Sequence, residues 1–218
     1  MTAPTPPDYS AWKYRATIRI TNPTTTAGYQ HKLTLTWKPG MRSDFRDIRF
    51  AQQNGTNCPY WIESKTDRST ATVWIKVPSA SQGLMFLYFG NGMAASASSG
   101  DTTFDFFDDF PGSSLDAAKW SIITGDVGVT GGTLVLTGTT GTRGLIEGKT
   151  AFGTGYVVRT RARQSTTAVT GNHHCGFRGA GAWTNYAEAY SNGTNQLNFR
   201  SGDGTDENKN VAVTGLTS

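Results

Sequence analysis

A period-two alternation of apolar and polar residues is the feature that most limits what this chain can fold into. In "WKYRATIRI" (12–20), Tyr14, Ala16, Ile18 and Ile20 alternate with Arg15, Thr17 and Arg19, so that one row of side chains faces a core and the other faces water. "HKLTLTW" (31–37), "TATVWIKV" (70–77) and "LMFLYF" (84–89) are similarly rich in β-branched and aromatic residues and are bounded by Pro, Gly or Asn, the punctuation of strands. "FRDIRF" and "PYWIES" are shorter candidates of the same kind. No segment sustains an apolar stripe at helical spacing, and the best helical window, "SLDAAKW", holds barely two turns. The fold class expected is all-β.

The alternation is interrupted once. "GMAASASSGDTT" (92–103) is small and polar and reads as a linker or exposed connection. Strand-like runs then resume as "KWSIIT", "GTLVLTG", "GLIEGK", "YVVRTRARQ", "HHCGFRG", "NYAEAYS", "QLNFRSG" and "VAVTGL", a spacing that suits an antiparallel sandwich. The chain has 218 residues, and domains hold on the order of 100–150. The expected organisation is therefore an N-terminal extension (1–11), a β-sandwich (12–91), a linker (92–103) and a second sandwich (104–218). Because a strand-like run ends at the last residue, the second sandwich is expected to be incomplete.

Charge divides unevenly between the halves. Residues 1–100 carry eleven Lys and Arg against five Asp and Glu, and residues 101–218 carry nine against eleven. The basic residues are scattered and form no tract, which argues against nucleic acid as a partner. No stretch approaches the ~20 apolar residues of a membrane-spanning helix, and "MTAPTPPDYSAWKYR" has no apolar signal-peptide core. Cys58 and Cys175 fall in separate expected domains, so no disulfide framework is implied.

The blocks "WKYRATIRI", "DFRDIRF", "CPYWIES", "TATVWIKVP" and "LMFLYFGN" (12–91) resemble the DUF2341 family, a domain of unknown function found in surface, secreted and some viral proteins. From "FDDFPGSSLDAAKW" through "YVVRTRAR", "CGFRG", "NYAEAY" and "LNFRSGDG", the second half resembles concanavalin A-like, laminin G-type jelly rolls. That resemblance implies a fold shared by lectins, adhesins and glycosidases, and a shared fold does not decide among them.

Several residues invite a chemical reading. Glycoside hydrolysis needs a carboxylate pair roughly 5–9.5 Å apart. Hydrolases of the resembled fold carry a Glu-x-Asp-x-x-Glu type motif on one strand, and residues 104–218 hold nothing of that form. Calcium could be held by Asp108 and Asp109, or by Asp203, Asp206 and Glu207, because hard cations gather carboxylate and carbonyl oxygens; the alternative is that these aspartates make turns and caps. His173, His174 and Cys175 are possible metal ligands, but neighbours on a strand face opposite sides, and a strand with Cys175 and Phe177 in a core is the better reading. Asp44, Asp47, Arg49 and Glu63 suggest a salt-bridge network or a ligand groove, with Asp47 and Arg49 on one face and Ile48 and Phe50 on the other.

An exposed aromatic can cover the apolar face of a sugar. Trp183, after a glycine-rich loop and beside Asn185 and Tyr186, is the candidate glycan contact, whereas Trp12, Trp61, Trp74 and Trp120 are assigned to cores. The functional expectation is a non-catalytic adhesion or recognition protein, oligomeric and lectin-like. It would sit on a virion (tail fibre, spike or capsid decoration) or a cell surface, with a cell-surface glycan or other virion or surface proteins as partners. The alternatives are a purely structural assembly module whose exposed strand edges dock onto a larger assembly and, third, a glycosidase with catalytic residues beyond Ser218.

Overall fold

The alternating segments become strands of two facing sheets. The structure is a computed structural model describing residues 8–21, 26–79, 83–137, 144–153, 155–161, 173–178, 186–191 and 197–202. It is all-β with almost no helix. The first seven strands are β1 (Tyr14–Arg19), β2 (Tyr29–Thr36), β3 (Arg49–Gln52), β4 (Asn57–Cys58), β5 (Tyr60–Thr66), β6 (Thr70–Val77) and β7 (Leu84–Phe89). They form antiparallel sheets ordered β1-β7-β3-β4 and β2-β6-β5. Phe50, Met85, Leu87 and Phe89 from one sheet meet Leu35, Tyr60, Val73, Ile75 and Val77 from the other in a single core. Each such side chain, once buried, contributes about 1.5–3 kcal/mol.

Register follows the alternation. Ala16 faces Leu87 and Ile18 faces Met85 across β1 and β7, so a slip of one residue would turn the whole inward row to solvent. One end of the core is closed by the loop between β2 and β3, which buries Met41, Phe45 and Ile48. These apolar residues recur at helical spacing, but the segment is a run of turns, with Met41 N–H donating to Lys38 O, Phe45 N–H to Arg42 O and Ile48 N–H to Phe45 O.

The segment expected to be a linker is packed. Ser98 bridges Tyr60 in parallel, its Oγ accepts the Ile62 N–H at 2.8 Å, and Ser99 N–H donates to Tyr60 O at 2.9 Å. Residues 98–99 thus satisfy part of the open edge of β5, a place where unpaired backbone groups otherwise invite association. A single helical turn, α1 (Gly100–Thr103), follows, with Ser99 as its N-cap, and Thr103 is fully buried. Small residues are needed here: a Cβ on Gly100 would lie 2.2 Å from the Phe107 ring.

Beyond α1 the aromatic stretch works in two directions. Phe104 and Phe107 pack edge-on against Trp61, and Phe104 also against Trp74, on the outer face of the β2-β6-β5 sheet. Phe106 and Phe110 pack on Trp120. Lys76–Asp105 and Lys119–Asp101 ion pairs, each 2.7 Å, flank the stretch. The Asp101 hydrogen bond raises the Lys119 pKa. Trp12, Trp61, Trp74 and Trp120, assigned to cores from sequence, are instead half-buried and lie outside the central core cluster. Their rings are wide enough to seat an outer layer while one edge stays wet.

After the aromatic stretch, β8 (Trp120–Thr124), β9 (Asp126–Thr130), β10 (Thr133–Thr137) and β11 (Leu145–Gly148) follow, paired as β11-β8 and β10-β9. The β9–β10 hairpin turns on Gly131 and Gly132, both with positive φ, as the tightest two-residue connections require. β9 was not foreseen. "SLDAAKW" is turn and strand rather than helix, and residues 156–161 of "YVVRTRARQ" are not in a strand; "VAVTGL" lies outside the described residues. By internal contacts the chain separates into Met1–Thr150 and Ala151–Ser218. In the latter, β12 (His173–Arg178), β13 (Tyr186–Ser191) and β14 (Leu197–Gly202) form an antiparallel meander. Among the described residues no helix is long and apolar enough to cross a membrane.

If the 98–107 segment is part of the folded domain, Gly100→Ala should lower stability by about 1–3 kcal/mol through overpacking against Phe107. Gly92→Ala, where the added Cβ meets nothing within 4 Å, should be neutral. Urea denaturation of both variants checks this pair.

Candidate ligand groove at the loop end of the sandwich

The loop that plugs the core is held by a buried carboxylate. Asp47 is wholly buried; its Oδ1 accepts the Arg42 N–H at 3.0 Å and its Oδ2 the Gly90 N–H at 2.7 Å. Its carbonyl accepts the Trp12 indole N–H at 2.6 Å. Gly90 has φ 93°, and a Cβ there would meet the Tyr14 ring at 2.6 Å, so glycine is what lets its N–H reach the carboxylate.

Asp47 does not share an exposed face with Arg49, as the alternation suggested, because the strand begins only at Arg49 and Asp47 sits in the preceding turn. Asp44, Asp47, Arg49 and Glu63 engage different partners. Asp44 pairs with Arg46 at 3.8 Å, Arg49 donates to the carbonyls of Arg46, Ile48 and Ala95, and Glu63 accepts the Trp74 indole N–H at 2.9 Å.

Next to this clamp lies an open groove of about 620 Å³ lined by Trp37, Met41, Arg42, Ser43 and Arg68. The groove arises where β2 ends beside the β5–β6 hairpin, since Thr36 is opposite Thr70 in the β2–β6 register. Trp37 is pinned by its N–H to Ser69 O and by its indole N–H to Met41 O at 3.2 Å. Arg42 donates through Nη1 to Gly92 O at 3.3 Å, and the Arg68 N–H donates to Ser43 O at 2.9 Å. The groove therefore brings a tryptophan that also packs against the core, a serine and two arginines to one place. None of its residues stood out as a site in the sequence, because Trp37 and Arg68 are far apart in the chain. The one available signal was that residues 9–43 carry six Lys and Arg and no Asp or Glu.

The candidates chosen from sequence lie elsewhere. Trp183 and Asn185 are outside the described residues, and Tyr186 opens β13. Asp108 is engaged structurally: Oδ1 accepts the Phe110 N–H and Oδ2 the Trp120 indole N–H, both at 2.7 Å. A cation at Asp108 would compete with both donors, and neighbouring Asp109 is exposed. Asp203, Asp206 and Glu207 are outside the described residues. Among the described residues, no three His, Cys, Asp or Glu side chains converge.

His173 and His174 are consecutive in β12. Cys175 is half-buried, its Sγ 3.0 Å from Thr160 Oγ1. Burial pushes the Cys58 thiol up to about 12, which keeps it protonated and unreactive at neutral pH.

Replacing Asp47 by Ala would leave two half-buried N–H donors without their acceptor, at a cost of about 2 kcal/mol. The change in urea midpoint, converted through the m-value, measures that loss.

The family model described as Domain of unknown function (DUF2341) matches residues 44–123. No curated protein and no solved structure matches the chain, and the comparisons give no support for a concanavalin A-like domain after the match. The matched segment starts in the Asp47 loop and ends in β8, so it crosses the expected linker and takes in the strap on β5 and the aromatic stretch over Trp61 and Trp74. The residues matched to DUF2341 include Asp47 and Gly90 of the carboxylate clamp and Arg68 of the groove, whereas Trp37, Met41, Arg42 and Ser43 precede the match.

Proposed function

We propose that this protein is a non-catalytic recognition or adhesion protein, displayed on a virion or a cell surface, that binds glycans at the Trp37 groove. The observation that carries this reading is that Trp37, half-buried against the core and fixed by its indole N–H to Met41 O, lines one groove together with Ser43, Arg42 and Arg68. A flat aromatic covers the apolar face of a pyranose, while nearby donors take its hydroxyls. A jelly roll in the second half, with Trp183, Asn185 and Tyr186 as a further sugar contact, extends the same reading.

A structural assembly module is the second reading, favoured by the edges of the sandwich. β1 and β2 are both edge strands, their inward residues Ala16, Ile18 and Leu33 are only half-buried, and the basic 9–43 stretch contains both. Such edges suit pairing with an acidic strand of another subunit.

One experiment separates the two readings. On a glycan array the wild type should bind a defined set of sugars, and Trp37→Leu, folded by circular dichroism, should lose that set by about tenfold or more. A wild type that binds no sugar contradicts the first reading. If that same protein forms oligomers in sedimentation at low salt that dissociate at high salt, the assembly reading takes its place.

A further inference from the structure

We infer that the Trp37 groove selects saccharides bearing an anionic group, either the carboxylate of a sialic or uronic acid or a sulfate ester, and that Arg68 is the residue that recognises it. This rests on the glycan-binding reading and narrows it to a charge class.

The first support is uncompensated positive charge. The acids nearest in sequence have other cations as partners: Asp44 accepts the Arg46 N–H and lies 3.8 Å from its side chain, and Asp67 pairs with Lys65 at 2.6 Å. Arg42 spends one N–H on Gly92 O. Among the described residues, the Arg68 guanidinium has neither an acceptor nor a carboxylate partner. A guanidinium offers a planar fork of donors that matches carboxylate and sulfate oxygens in paired hydrogen bonds.

The second support is the backbone of Arg68. It occupies the hairpin between β5 and β6, where Ser69 N–H closes onto Thr66 O, and its φ is 55°. A β-turn whose third residue has a positive φ most often holds glycine or asparagine there, because a Cβ is disfavoured. Among the described residues the one hydrogen bond of Arg68 is its backbone N–H to Ser43 O, and the residue lines the groove. Strain of this kind is retained where a side chain has a task.

A saccharide fits better than a nucleic acid. The groove is lined by one tryptophan and two arginines, whereas a polynucleotide needs a continuous basic track.

The test compares wild type, Arg68→Gly and Arg68→Lys by titration calorimetry against sialyllactose, a hyaluronan tetrasaccharide, a heparin tetrasaccharide, lactose and decathymidylate. The wild type is expected to bind at least one acidic sugar, and the hyaluronan and heparin arms separate carboxylate from sulfate. Arg68→Gly should weaken that binding about tenfold or more while its thermal midpoint stays equal or rises, since glycine relieves the turn. Arg68→Lys should retain part of the affinity.

Lactose binding as tightly as sialyllactose would overturn the anionic selectivity and leave glycan recognition standing. Binding of no sugar would overturn both. Decathymidylate binding as tightly as the sugars would replace the ligand class. An Arg68→Gly variant that binds like wild type, or whose midpoint falls, would remove Arg68 from recognition.

Discussion

The Asp47 carboxylate is the interaction on which the rest of this domain depends. A buried carboxyl group is costly unless its oxygens are hydrogen-bonded, and here each accepts a backbone N–H, one from Arg42 in the β2–β3 loop and one from Gly90 just after β7. The loop is thereby tied to the sheet it must cap, and Met41, Phe45 and Ile48 are held over the core. Phe45 is fully buried with φ 60°, a conformation that persists only where its surroundings over-determine it. The Asp47 bonds on one side and the Tyr60 hydroxyl donating to Ile48 O at 2.9 Å on the other supply that constraint.

The groove is a by-product of the same clamp. Arg42 gives its N–H to Asp47 and lines the groove; its neighbour Ser43 also lines it and accepts from the Arg68 backbone. Trp37 donates to Met41 O, one residue before the clamp. The aromatic and cationic groups are thus set on loops held by backbone hydrogen bonds, which lowers the entropy cost of ordering them around a ligand.

Much of the sandwich could be read from sequence, because strands buried on one face must alternate. "YRATIR" and "TATVWIKV" announce their inward rows directly, and β1 and β6 occupy those residues. The strap over β5 was hidden by its composition. Small polar residues look like a linker to any measure of hydropathy, yet Ser98 and Ser99 are there to satisfy backbone groups of β5, and Gly100 to admit the Phe107 ring. Asp47 was misread for a related reason: alternation with Arg49 is visible in the sequence, but a side chain that turns inward to accept two backbone N–H groups leaves no periodic trace. The groove was hidden by topology, since Trp37 and Arg68 become neighbours only through the β2–β6 register.

Amide hydrogen exchange at Arg42 and Gly90, followed by NMR on the full chain, tests the clamp most directly. Neither residue lies in a strand, so protection of these two amides depends on the Asp47 carboxylate rather than on a sheet ladder. The account predicts that both exchange as slowly as amides of β6 and β7. Exchange of either at the rate of an exposed loop amide would contradict it.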